Sequence, residues 1–182
     1  MGLQEIDQAL FFWINAGQRN FFFDRIMPYI TEFDHWKYWI LLIWVVLFIA
    51  GGKKLKITLL MTAILVGILD YSNSFFFKHL FTRPRPCNAL SQVHTFWPCP
   101  RSFSFPSNHA TSTFGAAFFL SHTYRNWGCL LFPMALVVGY SRIYVGEHYP
   151  FDVLGGFFMG FLGSVVFIWI QNKAFSKWLP LE

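Results

Sequence analysis

Five apolar runs of roughly membrane-crossing length constrain the fold of this chain, at approximately 35–51, 55–77, 107–124, 127–147 and 150–172. A bilayer core about 30 Å thick needs about 20 apolar residues in a helix to cross it. No water reaches the backbone there, so each run must satisfy its own N–H and C=O groups as a helix. Composition agrees: 55% of residues are hydrophobic and 13% charged, where a soluble domain carries about 25% charged residues. The expected fold is therefore all-α, a polytopic membrane bundle of about five helices. The first and third runs are short, and Trp36, Trp39 and Tyr124 stand at their ends, where aromatic rings suit the interface. There is no internal repeat or long linker, so 1–182 reads as a single domain with an N-terminal segment 1–34, a transmembrane bundle 35–172 and a tail 173–182.

The N-terminal segment differs in character. Leu3, Ile6, Leu10, Trp13 and Ile14 recur at helical spacing while Gln4, Glu5 and Gln8 fall elsewhere, which predicts an amphipathic helix lying on the membrane. Residues Asn15 to Asn20 break it, and Phe21 to Ile30 forms a second interfacial piece ending near Pro28. The alternative, a sixth span, is disfavoured by the charges that interrupt it. Glu5 and Asp7 stand where a secretory signal would be basic, and Ile6 fails the myristoylation pattern.

Loop charge orients the chain. Lys53, Lys54 and Lys56, then Arg125, then Lys173 and Lys177 all fall on one side, which the positive-inside rule makes cytoplasmic. The N-terminus and the loops 78–107 and 147–150 then face outward from the inner (cytoplasmic) membrane. The net charge of +5 is accounted for by anionic lipid and phosphate, so the bilayer and not nucleic acid is the expected partner. The oligomeric state is left open.

Three polar clusters interrupt this apolar background, all on the outward side: Lys78 to Pro86, Phe105 to His109, and Ser141 to Asp152. Lys78, Arg85 and Arg142 are not matched by an equal number of acids. Arginine forks match phosphate oxygens bidentately, and lysine adds a point charge. Ser107 stands where a helix begins, leaving the backbone N–H groups of Asn108 and His109 for an anion. His109 and His148 supply imidazoles for nucleophilic and acid–base roles near neutral pH. Asp152 lies four residues after His148, so on one helical turn it can hold one ring nitrogen and leave the other free to attack.

These clusters resemble the type 2 phosphatidic acid phosphatase family, whose pattern is Lys-x6-Arg-Pro, then Pro-Ser-Gly-His, then Ser-Arg-x5-His-x3-Asp. The first and third motifs match at every fixed position, and Asn108 stands where the family usually has Gly. The resemblance implies a membrane lipid phosphatase in which His148 attacks phosphorus, Asp152 orients it, and His109 protonates the leaving lipid oxygen. Lys78, Arg85, Ser107, Asn108 and Arg142 would bind the phosphate. It implies no cofactor, and the acids are too few and scattered for a two-metal cluster. The lipids it suggests are undecaprenyl diphosphate and lipid A 1-phosphate, ahead of phosphatidylglycerol phosphate and phosphatidic acid. A vanadate-dependent haloperoxidase shares the site but is soluble, and a flippase would show paired interrupted spans.

Other residues carry weaker expectations. Arg83 binds either a headgroup or the interface. Asp70, costly in a span unless paired, either orients a catalytic cation or hydrogen-bonds a neighbouring helix. Gly156 and Gly160 suit close packing inside the bundle more than dimerisation. Cys87 and Cys99, on the outward side, either close a disulfide or remain free thiols. Phe96 and Trp97 are placed at the lipid surface.

Overall fold

The computed structural model describes residues 2–175, which form helices joined by turns and loops with no strand among them. In order these are α1 (Leu3–Asn15), α2 (Phe21–Thr31), α3 (Phe33–Ala50), α4 (Lys53–Ser72), a π-helical turn (Asn73–Phe77), α5 (Lys78–Phe81), α6 (Pro86–Ala89), α7 (Asn108–Thr123), a 3-10 turn (Arg125–Trp127), α8 (Gly128–Tyr144) and α9 (Pro150–Phe175). Most of the expected tail, with Lys177, lies outside the described residues.

Four helical stretches are long and apolar enough to cross a membrane: Phe33–Ala50, Lys53–Ala89, Arg125–Tyr144 and Pro150–Ala174. The third expected span is α7, which has 16 residues and is therefore about 24 Å long. It is short because the chain before it, up to Ser107, is spent on loop structure around a cavity. Its position is nonetheless central, packed against α4, α8 and α9.

The contact between α7 and α9 is made by small residues. A Cβ at Gly160 would stand 2.5 Å from the Thr111 carbonyl oxygen, and one at Gly156 would stand 2.7 Å from that of Ser107. The Gly-x-x-x-Gly pattern therefore serves packing within the bundle. Ser164 Oγ, buried at the same seam, donates to the carbonyls of Gly115 and Gly160. Leu65, Leu69, Met61 and Phe119 fill the adjoining core. In contrast, α3 has no buried residue, and Trp44 touches α4 through a long 3.4 Å bond from its indole N–H to the Leu59 carbonyl.

Both faces of α1 are engaged. Leu3, Ile6, Leu10 and Trp13 are exposed, as a membrane-facing stripe should be, while Asp7, Phe11, Ile14 and Asn15 are buried against the protein. Ile14 thus belongs to the core and not to the lipid face. Asn15 grips the chain far away in sequence: its amide donates to the carbonyls of His94 and Tyr144, and its oxygen accepts from the His94 N–H. The break falls after Asn15, and Asn20 caps α2 by accepting from the Phe23 N–H at 2.9 Å. Pro28 does not end α2, which continues to Thr31.

Candidate active site

The three motif clusters meet around one cavity of about 400 Å³, lined among others by Thr31, Ser74, Lys78, Arg85, Trp97, Asn108, His109, Arg142, Glu147 and His148. Each residue arrives on an element whose local structure sets it there. The π-helical turn inserts an extra residue at the end of α4, immediately before Lys78, and such turns recur at functional sites. Lys78 is 6% exposed, as is Arg142 at the end of α8. Arg85 is fixed by the loop that forms the cavity wall, donating through Nε to the Ser102 carbonyl at 2.8 Å and through Nη2 to Ser102 Oγ at 2.9 Å.

His148 lies in the turn between α8 and α9. That turn requires Gly146, whose φ of +86° is left-handed and where a Cβ would stand 2.7 Å from the His94 carbonyl oxygen. Arg85 Nη1 donates toward His148 Nε2 across 3.2 Å. His148 Nδ1 faces Asp152 Oδ2 at 3.6 Å, longer than a hydrogen bond, and such contacts often tighten only when substrate arrives. Burial, followed by the charges of Arg85, Arg142 and Lys78, holds the His148 pKa well below its usual 6.5, so the ring is neutral. A neutral imidazole whose Nδ1 proton faces a carboxylate presents a lone pair at Nε2, the state a nucleophile needs.

Helix α7 begins at Asn108, so the N–H groups of Asn108 and His109 have no partner within the helix. Ser107 is fully buried, its Oγ has no hydrogen-bond partner, and its N–H donates to the Asp152 carbonyl at 3.0 Å. Asn108 donates to Asp70 Oδ1 at 2.8 Å and to Ser74 Oγ at 2.7 Å. Asp70 therefore holds Asn108, resolving the expectation in favour of a helix–helix hydrogen bond. It also explains how Asn replaces Gly here: the amide is absorbed by α4 and the π-helical turn.

Two expectations change, those for Arg83 and for the Phe96–Trp97 pair, and the open question of the two cysteines is answered. Arg83 turns inward instead of reaching a headgroup, pairing with Asp7 at 2.6 Å and Asp152 at 2.7 Å and lying 4.0 Å above the Tyr149 ring. Trp97 does not rest at the lipid surface; its indole N–H donates to Glu147 Oε1 at 2.5 Å. Phe96 stacks on Tyr144. Cys87 and Cys99 form a disulfide that closes the loop after Arg85.

The sequence reading missed Glu147. It is 4% exposed, and its Oε2 pairs with Arg85 Nη1 at 2.9 Å and with Arg142 Nη2. Its signal was present: it is an acid inside the third motif, beside His148 and five residues after Arg142. Thr31 was missed too; it accepts from Arg142 Nη1 at 2.6 Å, and nothing in its local sequence announces that.

The PAP2 superfamily pattern matches residues 54–176, more than half of the chain and all three clusters. The chain belongs to the PAP2 superfamily. Undecaprenyl-diphosphatase BcrC of Bacillus subtilis is 32% identical over 151 residues, covering 83% of this chain and 76% of that protein. A lipid A 4'-phosphatase of Bacteroides thetaiotaomicron is 27% identical over 183 residues, covering 96% and 81%. The crystal structure of Aquifex aeolicus LpxE matches with a TM-score of 0.72 at 28% identity, over 92% of this chain and 99% of that one. This PAP2 protein is thus a multi-pass membrane phosphatase, a hydrolase of phosphate esters.

Proposed function

We propose that this PAP2 protein removes the terminal phosphate of a membrane-embedded lipid phosphate or diphosphate through a phosphohistidine at His148, without a metal. The observation that carries this reading is Arg85 Nη1 at 3.2 Å from His148 Nε2, inside a cavity that Lys78, Arg142 and His109 also line. His148 Nε2 attacks phosphorus, the bond from phosphorus to the lipid oxygen breaks, and His109 protonates that oxygen. Asp152 stabilises the cationic ring that results. A water then attacks the phosphohistidine, giving its proton to His109, and inorganic phosphate leaves with His148 restored. Lys78, Arg85, Arg142, Ser107 Oγ and the first N–H groups of α7 carry the charge on the equatorial oxygens.

The substrate arrives sideways. The cavity wall includes Thr31, Glu32 and Phe33 at the junction of α2 and α3, and Ser74 in the π-helical turn. The loose packing of α3 leaves room for lipid chains beside that junction. Undecaprenyl diphosphate and lipid A 1-phosphate rank ahead of phosphatidylglycerol phosphate and phosphatidic acid, in keeping with relatives named undecaprenyl-diphosphatase and lipid A 4'-phosphatase. The proposed setting is the inner membrane with the cavity facing outward.

Phosphate release from these four lipids in mixed micelles, with excess chelator and with a short soluble phosphate ester for comparison, tests the reading. It requires chelator-resistant turnover and higher kcat/KM for the first two lipids. Equal kcat/KM for the soluble ester defeats lipid selectivity. Orientation is read separately: a cysteine introduced at Lys54 should resist an impermeant thiol reagent in intact cells.

A further inference from the structure

The structure assigns Asp7 as a positioning residue for the nucleophile, acting through Arg83 and Asp152. This rests on the reading of His148 as nucleophile. Asp7 lies on α1, outside the stretch that the PAP2 pattern matches, yet its side chain is fully buried. Asp7 Oδ2 accepts from Arg83 Nη2 at 2.6 Å, and Asp7 Oδ1 accepts from the Phe151 N–H at 2.9 Å. It is thereby held both by the guanidinium and by the first turn of α9, which carries Asp152.

Arg83 divides its fork between two acids. Nη1 goes to Asp152 Oδ1 at 2.7 Å and Nη2 to Asp7. The second oxygen of Asp152, Oδ2, accepts from the Tyr149 N–H at 2.9 Å and faces His148 Nδ1 at 3.6 Å. A free guanidinium favours gripping one carboxylate with both arms. With Asp7 absent, Arg83 can rotate to take both oxygens of Asp152, competing with His148 Nδ1 for Oδ2. Asp7 prevents this by occupying one arm. It also neutralises part of the arginine charge, which leaves a more negative field at the imidazole. Tyr149, 4.0 Å beneath the guanidinium, fixes the plane in which the fork lies.

The same helix presents Leu3, Ile6, Leu10 and Trp13 on its exposed side. The element with the membrane-facing stripe is therefore also the one that braces the carboxylate behind the nucleophile.

The test uses full-length Asp7→Ala, Asp7→Asn and Asp7→Glu with a short polyprenyl diphosphate in mixed micelles. kcat, KM, the rate of acid-labile phosphoryl adduct formation and inhibition by inorganic phosphate are all measured. Asp7 does not line the phosphate cavity, so KM and phosphate inhibition should stay within about twofold of wild type. kcat and adduct formation should fall about a hundredfold in Asp7→Ala, the scale of a displaced catalytic group. They should fall less in Asp7→Asn, which keeps an acceptor but not the charge, and recover partly in Asp7→Glu. Should Asp7→Ala fail to fold, Asp7→Asn decides: a folded variant with wild-type adduct formation overturns the inference. So does a loss shared equally between kcat and phosphate binding, which marks a structural role. If wild type forms no adduct, the nucleophile assignment fails instead, and the two failures are told apart.

Discussion

Arg85 and Glu147 form a buried ion pair at 2.9 Å inside the cavity that also holds His148. The same carboxylate oxygen pairs with Arg142, so one acid takes one arm of each guanidinium before any phosphate arrives. Of the three cations at the cavity, Lys78 has no carboxylate within ion-pair distance among the described residues. An incoming phosphate must compete with Glu147 for the forks, and Trp97 holds the other carboxylate oxygen while it does so. Removing one partner of a buried pair costs about 3–5 kcal/mol because the other charge is left uncompensated.

Glu147→Gln keeps the shape and an acceptor for Trp97 but removes the charge. Its inhibition constant for inorganic phosphate should fall about tenfold, equivalent to about 1.4 kcal/mol of tighter binding. Its melting temperature should drop without phosphate and recover when phosphate is added, since a ligand that binds only the folded state stabilises it. An unchanged inhibition constant would show that Glu147 does not compete with the anion.

Gly160→Ala should damage both folding and turnover. The added methyl meets the Thr111 carbonyl at 2.5 Å, a rigid backbone atom that cannot swing aside. Overpacking of this kind costs about 1–3 kcal/mol. The seam it pries apart joins α7, which carries His109, to α9, which carries Asp152. A thermal melt and a kcat measurement on the same preparation check this; wild-type values for both would contradict the packing argument.

Much of this arrangement was legible in the sequence because the residues that touch the cavity sit at fixed spacings within short motifs. Lys78, Arg85, Asn108, His109, Arg142 and His148 all line it. The spans were legible as well, because lipid permits few alternatives to a helix. Contacts between distant segments were not. Asp7 is an acid on an amphipathic helix, indistinguishable in sequence from one facing water, and its partner Arg83 is 76 residues away. Asp70 likewise reads as a possible partner for any cation until α7 brings Asn108 against it. The shortness of α7 was legible too: the run expected at 107–124 is the helix Asn108–Thr123.

The Cys87–Cys99 disulfide closes a short loop between Arg85 and the Ser102 that holds it. Cross-links of this span restrict the unfolded chain by about 3 kcal/mol in the chain-entropy account. Alkylation without reductant, read by intact mass, should label Cys129 alone, which is exposed. After reduction, three labels should appear and the melting temperature should fall. Three labels before reduction would contradict the pairing.

The pH dependence of stability should carry the signature of His148. Burial, then Arg85, Arg142 and Lys78, lower its pKa well below 6.5 in the folded protein. The unfolded chain takes up a proton near 6.5 while the folded chain does not, so stability falls as pH drops below about 6.5. The slope from one such group reaches about 1.4 kcal/mol per pH unit, and vanishes above that range. His148→Gln removes it. Denaturation from pH 8 to 5 should therefore show wild type losing stability faster than the variant below 6.5; parallel curves would contradict a neutral buried His148.

The central claim is that phosphate passes through His148. Enzyme quenched during turnover of a terminally radiolabelled lipid diphosphate, then digested and mapped, tests it most directly. The account predicts an acid-labile, base-stable phosphoryl group on the peptide containing His148. It also predicts that His148→Ala folds, inserts and shows neither adduct nor turnover. Normal turnover by His148→Ala, or a label mapped to His109 instead, would contradict it.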